Sequence, residues 1–226
     1  MFLFDEFHQI EDDPGKRFYV LVDFVGAINE LQKKGFPYHL ALAGLPKLSL
    51  NVKNARSYSE RMFRTIVLEN LTKNDAVLAI SEPLKNSQYV FSEDLIDAVV
   101  RDTGRYPYFI QFYCKEIIDN MCKKKISLGD YQSLKPIIVK QLETSFFDPR
   151  IDNLTDTEKK LLIAMAKIDT DDMLFKDIIA TSGINKNSLS KYVGRLEKKG
   201  LIHNHKYGIY RFSLPMLQNY IMNRYG

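Results

Sequence analysis

Met1-Phe2-Leu3-Phe4-Asp5-Glu6 reads as a short apolar strand that ends in two adjacent acids. Such a strand delivers one carboxylate to a nucleotide-bound Mg²⁺ and the other to an attacking water, because ionised carboxylates are hard oxygen ligands and an acid beside the metal suits proton acceptance. Acids that only cap a following helix give the same short pattern, so the rest of the chain must discriminate. The complementary half of such a site is a G-x-x-x-x-G-K-[ST] loop, which cradles phosphates on backbone N–H groups at a helix N-terminus and normally precedes the acid strand. That loop does not occur in the 226 residues. Gly15-Lys16 fails the pattern, with Ile10 at the earlier glycine position and Arg17 at the hydroxyl position, and reads as a turn.

After the acids, Phe18 to Gln32 repeats apolar residues at helical spacing (Tyr19, Val22, Val25, Ile28, Leu31) and stops at Gly35. Tyr38 to Ala43 is strand-like and Gly44-Leu45-Pro46 turns. Strand, helix and strand make a β-α-β unit, whose strands run parallel under helices on both faces. A helix from Ser57 to Phe63 opens on the capping pattern Ser57-x-x-Glu60, and a strand at Thr65 to Leu68 closes a first part, residues 1–69.

Residues 70–149 read as wholly helical up to about Phe146. One helix starts at Leu71-Thr72-x-x-Asp75 and ends before Pro83; Ser92 caps Glu93 to Arg101; Pro107 begins a third helix to about Met121; a fourth opens at Ser127 to Asp130, with Pro136 perturbing its start. Residues 150–226 change character again. Thr155-x-x-Glu158 is a capping box ahead of Lys159 to Ile168, Phe175 to Thr181 is a short helix, and Ser182-Gly183-Ile184 turns. Asn187 to Lys199 is a third helix with Leu189, Val193 and Leu196 inward, followed by two strand-like runs around Lys206-Tyr207-Gly208. This order is that of a winged helix-turn-helix.

Composition narrows the alternatives. With 45% hydrophobic and 27% charged residues, the chain is an ordinary globular one with no apolar run long enough to span a bilayer and no secretory leader, so a cytoplasmic location is expected. The net charge of +4 leans mildly toward anionic partners. Cys114 and Cys122 lie about 12 Å apart along one helix, too far for a disulfide, and read as core thiols. His203 and His205 share a strand face but are too few to hold a metal.

Five segments in order carry a resemblance to a known family. "FLFDEFHQIED" resembles the Walker B strand of AAA+ ATPases, in particular the STAND and archaeal-ATPase-like branch related to origin-recognition proteins. "HLALAGLPKL" resembles its next strand and turn, "ARSYSERMFRTIVLENL" the stretch into its lid, "TGRYPYFIQFYCKEI" its Gly-x-Pro region, and "FFDPRIDNLTDTEKKLLIAMA" the entry to its winged helix. The resemblance implies an α/β plus α fold: a truncated parallel-sheet core in residues 1–69, a helical lid domain in 70–149 and a winged helix domain in 150–226. It implies ATP and Mg²⁺ as cofactors, with Asp5 on the metal and Glu6 as general base. Arg61 matches an arginine that reaches the γ-phosphate of the same or a neighbouring subunit, although an exposed helix arginine is an equal reading. Gly104 and Pro107 match the motif that lays the lid against adenine, with Arg105 standing where the family pattern has glycine. The strand ending Ala43-Gly44 lacks the polar sensor side chain.

With the phosphate loop missing, residues 1–69 should be the least stable part and Mg-ATP should bind feebly, without independent ATPase activity. The loop would come from an upstream Walker A-bearing segment or chain. On the third helix of residues 150–226, Asn187, Ser188, Lys191, Arg195 and Lys198 form a basic, hydrogen-bonding face fit for DNA, whereas a solvated lysine-rich face or a protein-docking surface gives the same pattern. Gly194 in that helix suggests close packing rather than groove reading.

Overall fold

A computed structural model describes residues 1–45, 47–55 and 59–226. The chain forms two compact units, one of residues 1–67 with 197–203 and the other of residues 68–196 with 204–226.

In the first unit, β1 (Phe2–Phe4) pairs in parallel with β2 (Leu40–Leu42), Phe2 opposite Leu40 and Phe4 opposite Leu42. The helix α1 (Val20–Lys33) connects them, giving the expected β-α-β unit. Asp12 caps α1 from outside it, its Oδ1 accepting from the backbone N–H of Leu21 at 2.8 Å and of Val22 at 3.3 Å. Gly35, at φ 82°, ends the helix in the left-handed region that glycine enters without steric cost. Gly15-Lys16 sits in a tight turn between Asp13 and Phe18, whose backbones bond each other in both directions. Two helices follow: α2 (Lys47–Ala55), which sequence reading missed, and the one-turn α3 (Ser59–Met62). The expected cap at Ser57 lies outside the described residues. Phe7, Leu21, Val25, Leu48, Val52 and Ala55 make the core, so α1 and α2 are held by the same apolar cluster.

Two expectations fail here for one reason. β1 is exposed along its length rather than covered on both faces, and residues 65–68 form no strand. Ile66, Val67 and Leu68 are 71%, 76% and 90% exposed. A strand exists only by pairing, and among the described residues no third strand joins β1 and β2.

The second unit opens with α4 (Lys73–Lys85), capped by Thr72, whose hydroxyl accepts from the Asp75 N–H. The helix continues through Pro83, whose missing N–H falls in the last turn and removes only one internal bond. Residues 87–126 are not wholly helical: β3 (Val90–Phe91) and β4 (Lys125–Ile126) form a short parallel pair around α5 (Glu93–Asp102) and α6 (Pro107–Asp119). Ser92 caps α5 as expected. Ser127 and Asp130 form a full capping box on α7 (Leu128–Leu142), which accommodates Pro136 within it. A π-helical turn, Glu143–Phe147, leads into α8 (Asp148–Asp152). Tyr131 and Lys135 of α7 both donate to the Asp102 carboxylate, at 2.6 and 2.7 Å, tying α7 to the end of α5. Partial burial pushes the Asp102 carboxyl up, but these two donors outweigh it and hold it below the usual carboxylate range.

Beyond α8 come α9 (Asp156–Ala166), with the expected Thr155/Glu158 capping box, α10 (Phe175–Ser182), and α11 (Lys186–Lys198) with Leu189, Val193 and Leu196 buried. Gly183 turns the chain between α10 and α11 at φ 66°. The strands β5 (Met173–Leu174), β6 (Ile202–Lys206) and β7 (Ile209–Phe212) form a sheet in the order β5-β7-β6, and α12 (Leu217–Tyr225) packs on α9. Cys114 is largely buried, which pushes its thiol up to about 12, whereas Cys122 is exposed and not the expected core thiol. Among the described residues no helix is long and apolar enough to cross a membrane.

Candidate functional site

The chain leaves β1 at Phe4 and turns at once, so Asp5 and Glu6 sit beyond the C-terminal end of a parallel strand, where open α/β sheets bind ligands. Both acids are exposed. The Asp5 Oδ1 accepts from the Glu6 backbone N–H at 2.8 Å. Glu6 itself adopts φ 54°, ψ 22°, a left-handed conformation that costs a non-glycine residue roughly 1 kcal/mol. This turn directs the Glu6 carboxylate toward residues 8 and 9: its Oε2 accepts from Gln9 Nε2 at 3.3 Å and lies 3.5 Å from His8 Nε2.

His8 is the residue that sequence reading overlooked. It is 6% exposed, and its Nδ1 accepts from the Leu45 backbone N–H at 3.2 Å. Its own carbonyl accepts from Asn51 Nδ2 at 3.4 Å, which links the acid turn to α2. A Cβ at Gly44 would lie 2.8 Å from His8 Nδ1, so the imidazole occupies the space a side chain at position 44 would need. Only glycine there permits it. The one signal in the sequence was the polar residue two places after Glu6, which nothing local relates to Gly44.

These residues fit the metal half of a Mg-nucleotide site. Mg²⁺ bound with substrate phosphates takes one or two protein carboxylates, which the adjacent exposed acids can supply. A self-contained cation cage is absent: among the described residues no group of three His, Cys, Asp or Glu side chains could hold a metal ion. The phosphate half does not fit, because no sequence with the required glycines and lysine is present.

The remaining expected site residues are placed as follows. Arg61 is exposed on the one-turn α3. Gly104 lies in the second unit at φ 59°, with its carbonyl accepting from Asn70 Nδ2 at 3.2 Å. Arg105, where a glycine was expected, nevertheless adopts φ 61°. Pro107 takes the first position of α6, where its lack of an N–H leaves no bond unmade. On α11, Asn187, Lys191, Arg195 and Lys198 are exposed and Ser188 is half-buried. Asn185 Oδ1 accepts from the Ser188 N–H at 2.9 Å, capping this helix. Arg195 is not purely outward: its Nη1 lies 3.9 Å from Oε1 of Glu158, which is 1% exposed. The Lys198 Nζ lies 3.7 Å from Glu11 Oε2. The expected close packing at Gly194 is not found, since a Cβ there meets nothing within 4 Å.

Residues 144–221 match the family described as Domain of unknown function (DUF8462). No curated protein matches the chain. Among solved structures it is similar to the Walker-type ATPase of Pyrococcus abyssi, with 18% identity, 97% of this chain covered and a TM-score of 0.59. The chain spans 62% of that protein's length. It also aligns with the RuvB Holliday junction branch migration motor of Thermotoga maritima, at 15% identity over 99% of this chain and 69% of that one, TM-score 0.44. A third alignment, with Drosophila ORC bound to DNA, has 14% identity, covers 81% of this chain and 49% of that one, and scores 0.31. The first of these likenesses shows a fold shared with a Walker-type ATPase.

Proposed function

We propose that this chain is part of an ATP-driven switch of the STAND branch of AAA+ ATPases, with the Walker B acids in residues 1–69, a helical lid domain in 70–149 and a winged helix domain in 150–226. Asp5 holds Mg²⁺, directly or through water, and Glu6 accepts the proton of the attacking water. When bound, Mg-ATP supplies the electrophilic phosphoryl group and neutralises its developing charge. Residues outside these 226, in an upstream segment or a second chain, provide the phosphate loop. Arg61 is the candidate for γ-phosphate contact, and Gly104 and Pro107 for the lid's approach to adenine. The observation that carries this reading is the adjacent acid pair at the C-terminal end of a parallel strand, in a fold shared with a Walker-type ATPase.

The first test is ATP hydrolysis by the purified 226 residues. Expected is a rate indistinguishable from that of Asp5→Ala, because no backbone cradle holds the phosphates. Turnover that disappears in Asp5→Ala or Glu6→Gln would show that the loop is dispensable and overturn the proposal.

The open surface at Gly194 favours a second reading, in which α11 meets a duplex or a protein independently of nucleotide. Its exposed face carries Asn187, Lys191, Arg195 and Lys198, and a Cβ added at the half-buried Gly194 would meet nothing within 4 Å. For DNA, binding should weaken steeply with salt, and Lys191→Ala with Arg195→Ala should each lower the salt slope by about 1. Gly194→Ala separates fold from contact. It should stabilise the helix by about 0.5–1 kcal/mol and weaken the complex, measured by thermal unfolding and duplex titration. Binding that survives both charge substitutions and Gly194→Ala removes α11 as the contact surface.

A further inference from the structure

We propose that His8 is a positioning residue for Glu6, holding the general base through its Nε2–H while its Nδ1 is anchored on the turn after β2. The inference rests on the reading of Glu6 as the base of a nucleotide site, and adds a residue to which no role has been assigned.

Four observations carry it. The Leu45 N–H points at His8 Nδ1, so that nitrogen is an acceptor and the neutral ring carries its proton on Nε2. Nε2 faces Glu6 Oε2 at 3.5 Å, a separation from which contacts of this kind tighten when a reacting complex assembles. The ring is nearly fully buried, and Gly44 leaves space for it that no other residue type would. Glu6 is held in a left-handed conformation, and its carboxylate turns back toward Gln9 and His8. Together these give a short relay from the end of β2 through the imidazole to the base. It places a polar group beside Glu6 although the residues that follow β2, Ala43-Gly44, carry no polar side chain. Movement of the 44–45 turn would therefore move the Glu6 carboxylate.

Isotope-labelled chain tests this by NMR without any nucleotide. In the unmodified protein, the His8 ring nitrogens should show the Nε2-protonated tautomer, and Glu6→Gln, a change at an exposed residue, should shift the Nε2 resonance. Asn and Gln then divide the imidazole's two functions. The Oδ1 of His8→Asn can replace the Nδ1 acceptor but cannot reach Glu6, whereas the Nε2 of His8→Gln can replace the donor to Glu6 but not the acceptor.

Positioning predicts that the Glu6 side-chain carboxyl resonance moves in His8→Asn and returns toward its original place in His8→Gln. A purely packing role predicts the reverse, with His8→Asn native-like and His8→Gln disturbed. That pattern, an Nδ1-protonated ring, or an Nε2 resonance unmoved by Glu6→Gln would overturn the proposal. The tautomer and Glu6→Gln measurements need no His8 variant to fold. Absence of ATP turnover in any context would instead count against the nucleotide reading and leave these spectra unaffected, so the two failures are distinguishable.

Discussion

Phe147→Ala should lower the stability of the second unit by about 3–5 kcal/mol, the range for truncating a fully enclosed aromatic ring. Phe147 is 1% exposed. Its ring stacks on Tyr220 of α12 at 5.0 Å and meets the rings of Phe109 and Phe146 at 5.8 and 5.3 Å. It thus joins α6, the π-helical turn and α12. Removing it opens a cavity at their junction and also strips aromatic contacts worth about 0.5–1.5 kcal/mol each beyond area burial. The Tyr220 hydroxyl donates to Asp148, so Tyr220 is fixed from both sides and α12 cannot easily collapse into the gap. Urea unfolding should show a lower midpoint with an unchanged slope, as for lost stability without a changed denatured state. A loss below about 1 kcal/mol would mean that the three elements are not held by this ring.

The second large effect is expected at Gly104. Its φ of 59° places it where a Cβ costs roughly 1–2 kcal/mol, and that Cβ would also lie 2.8 Å from the Cβ of Pro215. Overpacking of this kind adds about 1–3 kcal/mol, so Gly104→Ala should cost about 2–5 kcal/mol in all. This cost arises with no nucleotide present. Packing against Pro215 and the turn into α6 therefore suffice to require glycine at position 104. Thermal unfolding of the variant checks the magnitude, and a change under about 0.5 kcal/mol would show that the Pro215 contact relaxes freely.

Local signals were legible wherever local physics decides. Ser92, Ser127 and Thr155 cap the helices assigned to them because the cap and its bonded N–H lie three residues apart. The stripe Leu189, Val193 and Leu196 points inward because helical spacing alone puts those residues on one face. The β1-α1-β2 order followed from apolar periodicity in the same way. Long-range facts were not legible. Thr65 to Leu68 has the composition of a strand, but pairing decides whether one forms. His8 and Leu45 are 37 positions apart, and the tight contact that requires Gly44 exists only in the fold. At Gly194 the helix rule gave the cost of the glycine but not its reason, and the open space there removes packing as the explanation. The acid pair was read from two adjacent residues, whereas the packing of His8 against Glu6 depends on the fold around Gly44 and Leu45.

The division of labour between the two acids is tested most directly by joining these 226 residues to a segment that bears G-x-x-x-x-G-K-[ST], and measuring Mg-ATP binding and hydrolysis side by side. The unmodified chain should then hydrolyse ATP. Glu6→Gln should keep Mg-ATP binding and lose about 10²–10⁴-fold in turnover, the range for removing a general base, while Asp5→Ala should lose Mg²⁺-dependent binding as well. Retained turnover in Glu6→Gln, or Mg²⁺-dependent binding indifferent to Asp5→Ala, would contradict the assignment of these acids to a nucleotide site.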